Sequence, residues 1–128
     1  MEKMQRAFIY AMLSNIFSDS LNEKEINDFK NNEELLSVIG EASKEYFNSK
    51  SVEEIKEELN VDFTTTFLIN AHPIESAVTD LKQDVLVGLQ NPVMQFYYKY
   101  GYDINLLNTE IQVPDHLAIE LGFMQNLV

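Results

Sequence analysis

Ser51 and Glu54 stand three residues apart, and Ile55, Leu59, Phe63 and Phe67 follow at strict intervals of four. The first pair has the form of a capping box, in which each side chain reaches the other residue's backbone amide at a helix start. The second set places four apolar side chains on one face of an α-helix. Together they predict a helix from 52 to about 69. The strand-favouring Thr64-Thr65-Thr66-Phe67-Leu68-Ile69 lies inside this stripe and is assigned to the helix by the same periodicity.

The rest of the chain repeats the pattern. Phe8, Met12 and Ile16, with Leu13 and Phe17 beside them, predict an amphipathic helix over 3–18. Asn22 with Glu25 is a second capping box, opening a short helix, and Asn32 can cap the next, with Leu35, Leu36, Ile39 and Tyr46 as its stripe. Asn70-Ala71-His72-Pro73 breaks the helical pattern, because the residue before a proline avoids the helical region. A helix over 74–89 is expected next, with Val78, Leu81, Val85 and Leu89 inward. Asn91-Pro92 is a cap followed by a first-turn proline, and Gly101 is a natural stop for the aromatic helix between them. That helix carries Phe96, Tyr97, Tyr98 and Tyr100 on every face, so at least one ring must be exposed. Residues 102–113 read as a loop, and Val113-Pro114-Asp115 starts a last helix with Leu117, Leu121 and Met124. The fold class is therefore all-α, a bundle of about six to seven helices with no sheet, in a single domain over 1–128.

Composition limits the chemistry. There are no cysteines, which excludes disulfides, thiolate metal sites and a cysteine nucleophile and suits a reducing compartment. Net charge is −12, from 21 acidic and 9 basic residues, a poor match to nucleic acid; such a surface favours basic partners, although acidity alone is better explained as a solubilising surface. No apolar run approaches the roughly 20 residues that span a bilayer. The start of the chain lacks a small-residue cleavage site, so a cytoplasmic location without membrane insertion is expected.

The four glycines are too scattered for a dinucleotide fingerprint, and no phosphate-binding loop is present. The two histidines, His72 and His116, occur in no HExxH or ExxH pattern, so no metal or cofactor is expected, nor an enzyme. His116 and Glu120 share a helix face at i, i+4; a hydrogen-bonded pair is favoured there over a weak metal site.

Three segments, in order along the whole chain, resemble the TorD/DmsD/NarJ family of redox-enzyme maturation chaperones. Pro114-Asp115-His116-Leu117-Ala118-Ile119-Glu120-Leu121-Gly122-Phe123-Met124 is similar to the family's PDHLxxELxFM segment. Phe63 to Phe67, continuing to Pro73-Ile74-Glu75-Ser76, resembles an aromatic segment followed by P-x-E-S, and Arg6 to Phe17 resembles the usual first helix. Tyr97-Tyr98 to Gly101 suits the stretch before the PDHL turn. Members usually continue with further helices beyond this point, so a chain truncated after the PDHL helix is one expectation.

The resemblance implies a non-enzymatic cytoplasmic chaperone. Its partners would be the twin-arginine leader peptide and the catalytic subunit of a molybdenum enzyme, with cofactor insertion before export as its task. Two guanidinium groups beside an apolar stretch call for carboxylates beside an apolar groove. Pro73, Glu75, Ser76, Tyr97, Pro114, Asp115, His116 and Glu120 are the candidate peptide-binding residues, on the expectation that the loop at 70–76 packs near 113–116. Asp115 either caps the last helix alone or caps it and binds. The alternative function is an acidic helical interaction or oligomerisation module without leader specificity. The chain's last helix is apolar to its end, so a homo-oligomer, including a domain-swapped one, is expected.

Overall fold

Every helix start that the sequence marks with a polar cap carries one in the computed structural model, which describes residues 2–79, 82, 85–105 and 111–128. Among these residues are eight α-helices and no strand: α1 (Lys3–Ser18), α2 (Glu23–Lys30), α3 (Glu33–Ile39), α4 (Glu41–Ser49), α5 (Val52–Phe63), α6 (Glu75–Thr79), α7 (Pro92–Lys99) and α8 (Leu117–Leu127). The all-α expectation holds, with one more helix than the upper count. The chain divides into two compact units, Asp19–Ala71 and the pairing of Met1–Ser18 with His72–Val128.

In the unit Asp19–Ala71, the capping boxes of α2 and α5 are both closed in each direction, Asn22 with Glu25 and Ser51 with Glu54. The stripe expected to run from Leu35 to Tyr46 is split at Gly40, whose φ of 126° ends α3 and begins α4. Ile39, expected inward, is exposed as a result. Ile26, Leu36 and Ile55 are fully buried, and Phe29 stacks on Phe47 at 5.5 Å between ring centres. Each such side chain contributes about 2–3 kcal/mol on leaving water. Lys30 donates to the carbonyls of Phe47 and Lys50, so its ammonium serves the carboxyl end of α4, where orphan acceptors and the helix dipole favour a cation. The stretch Thr64–Asn70 is helical, as periodicity required, but wound as a π-helix, with the Ala71 amide donating to the Thr66 carbonyl at 2.7 Å.

The other unit is built on α1 lying along α8. The Ser14 hydroxyl donates to the Ala118 carbonyl at 2.6 Å, and Gly122 faces Tyr102 so closely that a Cβ there would sit 3.1 Å from the phenol oxygen. Met94, Tyr97 and Phe123 form the core, with Val93, Tyr102, Ile104 and Ile119 against it. The ring of Phe123 lies 4.8 Å from Tyr97 and 5.3 Å from Tyr102. α7 ends in a Schellman turn. Gly101 takes φ 71°, its amide donates to Tyr98, and the Tyr102 amide reaches back to Tyr97. Phe96, Tyr98 and Tyr100 are exposed while Tyr97 is 1% exposed, which answers the expectation that the aromatic helix could not bury all its rings.

The helix expected over 74–89 does not form. Among the described residues of this stretch, Glu75–Thr79 alone is α-helical, and Gly88–Gln90 forms a 3-10 turn. Val78 is 75% and Leu89 71% exposed, and Val85 is exposed as well; Leu81 lies outside the described residues. The amide of Leu86 donates to the Ser76 hydroxyl, and the β-branched Val78, Thr79, Val85 and Val87 with Gly88 weaken the helical alternative.

Candidate functional site

The loop carrying Pro73 and the turn carrying Pro114 meet. Ile74 and His116 form an isolated antiparallel bridge. The Leu117 amide donates to the Pro73 carbonyl at 2.8 Å, and the Glu75 amide donates to the Asp115 carbonyl at 3.0 Å. These backbone bonds fix α6 against the start of α8. They place Pro73, Glu75 and Ser76 beside Pro114, Asp115, His116 and Glu120. Sequence periodicity carries no signal for this meeting; it came only with the resemblance.

Asp115 is 2% exposed, and its Oδ2 accepts from the Ser76 amide at 2.7 Å. It thus caps α6, a helix 39 residues away, in the manner of an N-cap side chain. This corrects the expectation that Asp115 caps the last helix. His116 does that, its Nδ1 accepting from the Ala118 amide at 3.1 Å. Oδ1 of Asp115 has no protein donor among the described residues.

From Asp115 a run of hydrogen bonds continues through the segment before α7. The Ser76 hydroxyl accepts from Leu86, whose carbonyl accepts from the Asn91 side chain at 2.9 Å. The Asn91 carbonyl oxygen Oδ1 in turn accepts from Val93 at the start of α7. Ser76 and Asn91 are both buried. Asn91 caps α7, as expected; its second bond, to the Leu86 carbonyl, is what ties α7 into the site. Tyr97 lies beneath the proline turn, and its hydroxyl donates to the buried Pro114 carbonyl at 3.0 Å. Burial holds the phenol well above its ordinary value. The ring is core, so Tyr97 supports the turn from below and presents no face to a surface ligand.

Above this base is a shallow cleft of about 210 Å³ lined by His72, Pro73, Ile74, Glu75, Val78, Leu117 and Glu120. Its walls are apolar apart from the two carboxyl groups and the exposed His72. Glu120 is pushed up to about 7, first by burial, then by the charge of Glu75 and a hydrogen bond with it, with Asp115 adding to the effect. Its side-chain partner is therefore Glu75 and not His116, contrary to the pairing favoured from spacing. His116 is held below its usual value by burial, against the opposing pull of Asp115. A second hollow of about 180 Å³ lies on the other side of the Glu75–Ser76 turn, bounded by Asn91, Val93 and Asp115. No group of three or more His, Cys, Asp or Glu among the described residues is arranged to hold a metal ion. No described helix is long and apolar enough to cross a membrane.

The cleft is thus two acid groups, pressed together by backbone pairing, on an apolar floor. It suits a cationic group attached to an apolar segment. Residues 27–128, which contain every one of these positions, match the sequence model of the family described as nitrate reductase delta subunit. No curated protein and no solved structure matches the chain. The chain belongs to the nitrate reductase delta subunit family, a family of NarJ/TorD-type chaperones for the maturation of redox enzymes.

Proposed function

We propose that this protein is a cytoplasmic chaperone that binds the twin-arginine leader of a molybdenum-containing redox enzyme and assists cofactor insertion into the catalytic subunit before export. The observation that carries the reading is the cleft edged by Glu75 and Glu120 and walled by Pro73, Ile74, Val78 and Leu117. A guanidinium group keeps its charge and pairs with carboxylates in bidentate geometry. The apolar walls match the apolar stretch that follows the arginines in such a leader. Asp115, Ser76, Tyr97 and Pro114 act by holding the turn in place, and His116 by starting α8. The net charge of −12 draws a basic peptide in and weakens as salt is added.

Titration calorimetry tests the reading. A synthetic leader with adjacent arginines is expected to bind, and to lose most of its affinity when both arginines become glutamine or when Glu75 and Glu120 are both replaced by glutamine. Binding indifferent to all four changes would refute it.

The second reading, an interaction or oligomerisation module, draws on a different surface. α8 is apolar nearly all round, and Met124 and Leu127 are exposed on it, as are Met4 and Phe8 on α1. Light scattering that finds a stable dimer, dissociated by Phe8→Ser with Leu127→Ser, would favour this reading.

A further inference from the structure

Glu75 and Glu120 come from different helices and do not meet by their own attraction. The backbone bonds from Glu75 to Asp115 and from Leu117 to Pro73, with the Asp115 cap on Ser76, bring α6 and the start of α8 together and carry the two carboxyl groups with them. Burial and the neighbouring charge of the exposed Glu75 both hold Glu120 toward its protonated form, in which its O–H can donate to the Glu75 carboxylate. Among the described residues, no lysine or arginine lines the cleft. Asp115 adds negative charge from behind, and Tyr97 below is a neutral phenol. His116 at the head of α8 is held toward its neutral form, and His72 is exposed at the rim. On α1, which packs along α8, the charged side chains are Lys3 and Arg6, both exposed.

We infer that the cleft takes up a cation in exchange for a proton: an arginine side chain displaces the carboxyl hydrogen that Glu120 holds beside Glu75, so that the protein grips arginine-bearing peptides more tightly as pH rises through neutrality. This deepens the leader-binding reading and rests on it for the identity of the peptide. In the exchange one carboxyl O–H bond breaks, the proton goes to the solvent, and the guanidinium group is left between two carboxylates. Because Glu120 is pushed up to about 7, roughly half a proton leaves per peptide bound at neutral pH. If the bound pair stays ionised down to pH 6, affinity rises by about tenfold between pH 6 and pH 8.

Two measurements separate this inference from the leader reading. The first follows the side-chain carboxyl of Glu120 by carbon NMR in the full chain, with ethylguanidinium chloride as a minimal probe and sodium chloride as its salt control. The midpoint of Glu120 is expected near 7 alone, lower with ethylguanidinium than with sodium chloride, and back toward ordinary carboxylate values in Glu75→Gln. The second is calorimetry of a synthetic twin-arginine peptide at neutral pH in phosphate and in Tris, whose different ionisation heats count the protons released. Glu120→Gln, which mimics the protonated acid, is expected to bind with no proton release and a flat pH profile. A Glu120 midpoint in the ordinary range, no response to ethylguanidinium beyond that to sodium chloride, or tight peptide binding without proton release would each overturn the inference. A midpoint near 7 that ethylguanidinium lowers, together with no binding of any leader peptide, would uphold the exchange and sink the leader reading.

Discussion

Replacing Asp115 by alanine isolates what the buried carboxylate does for the site. The substitution removes the acceptor of the Ser76 amide, which is itself buried, and the loss of one partner of a buried hydrogen bond costs about 1–3 kcal/mol. Against this, Oδ1 of Asp115 has no protein donor among the described residues, so deleting the carboxylate recovers roughly 1 kcal/mol of unfavourable desolvation. The net expectation is a destabilisation of up to about 2 kcal/mol, which for a chain of this size lowers Tm by up to about 8 °C. Asp115→Asn keeps an oxygen toward Ser76 and drops the charge, so it should stay within about 0.5 kcal/mol of the parent. Urea unfolding followed by circular dichroism gives both values. Hydrogen exchange localises the effect: in the alanine variant the amides of Ser76 and Leu86 should lose protection while those of α5 keep theirs. If the alanine variant is as stable as the asparagine variant, with Ser76 still protected, Asp115 does not hold α6 and the account of the cleft's construction fails.

Tyr97→Phe leaves the buried Pro114 carbonyl without its donor and should cost about 1–2 kcal/mol in urea unfolding, with the aromatic core otherwise intact. Gly101→Ala places a side chain at φ 71° with open space around its Cβ, so the cost is backbone strain alone, about 1–2 kcal/mol, read as a drop in Tm. His116 accepts from Ala118 only while Nδ1 is unprotonated, and its pKa is lowered on folding. The stability it contributes is therefore complete above about pH 6.5, the unfolded value, and is lost as pH falls below that through the folded value. His116→Asn caps without titrating, so its stability relative to the parent should rise as pH falls from 7 to 5 in parallel denaturation curves. Glu120 works in the opposite sense: its contribution is complete below about 4.5 and is lost as pH rises through 7, so only the difference between the two proteins isolates His116.

The caps were the most legible part of this chain. Asn22 with Glu25, Ser51 with Glu54, Asn91 before Pro92 and Gly101 after Tyr100 each name a local backbone geometry that few other residues satisfy, and each boundary follows from two or three neighbours. The segment after Glu75 departs from its expected helix because Val78, Val85 and Leu89 have helical spacing yet stand exposed. Spacing reports which side chains could share a face; it does not report whether that face is buried. The amide of Leu86 is instead satisfied by Ser76, a bond that no periodicity announces. The site residues were legible only by resemblance, and their roles less so. Asp115 sits where a cap for the following helix is expected, yet it caps a helix from earlier in the chain, because the backbone pairing of 74 with 116 turns it that way. Glu75 and Glu120 lie 45 positions apart, and nothing in either neighbourhood marks them as sharing one cleft.

A helix of five residues is far below the length at which one can form unaided. α6 must therefore wait for a start signal supplied from downstream, and the loop between the two has to close before any helical turn can be kept. Glu75 has no fixed direction until that happens. The acidic cleft accordingly takes shape only with that closure, and a polypeptide cut anywhere before the Pro114 turn would have no receptor at all.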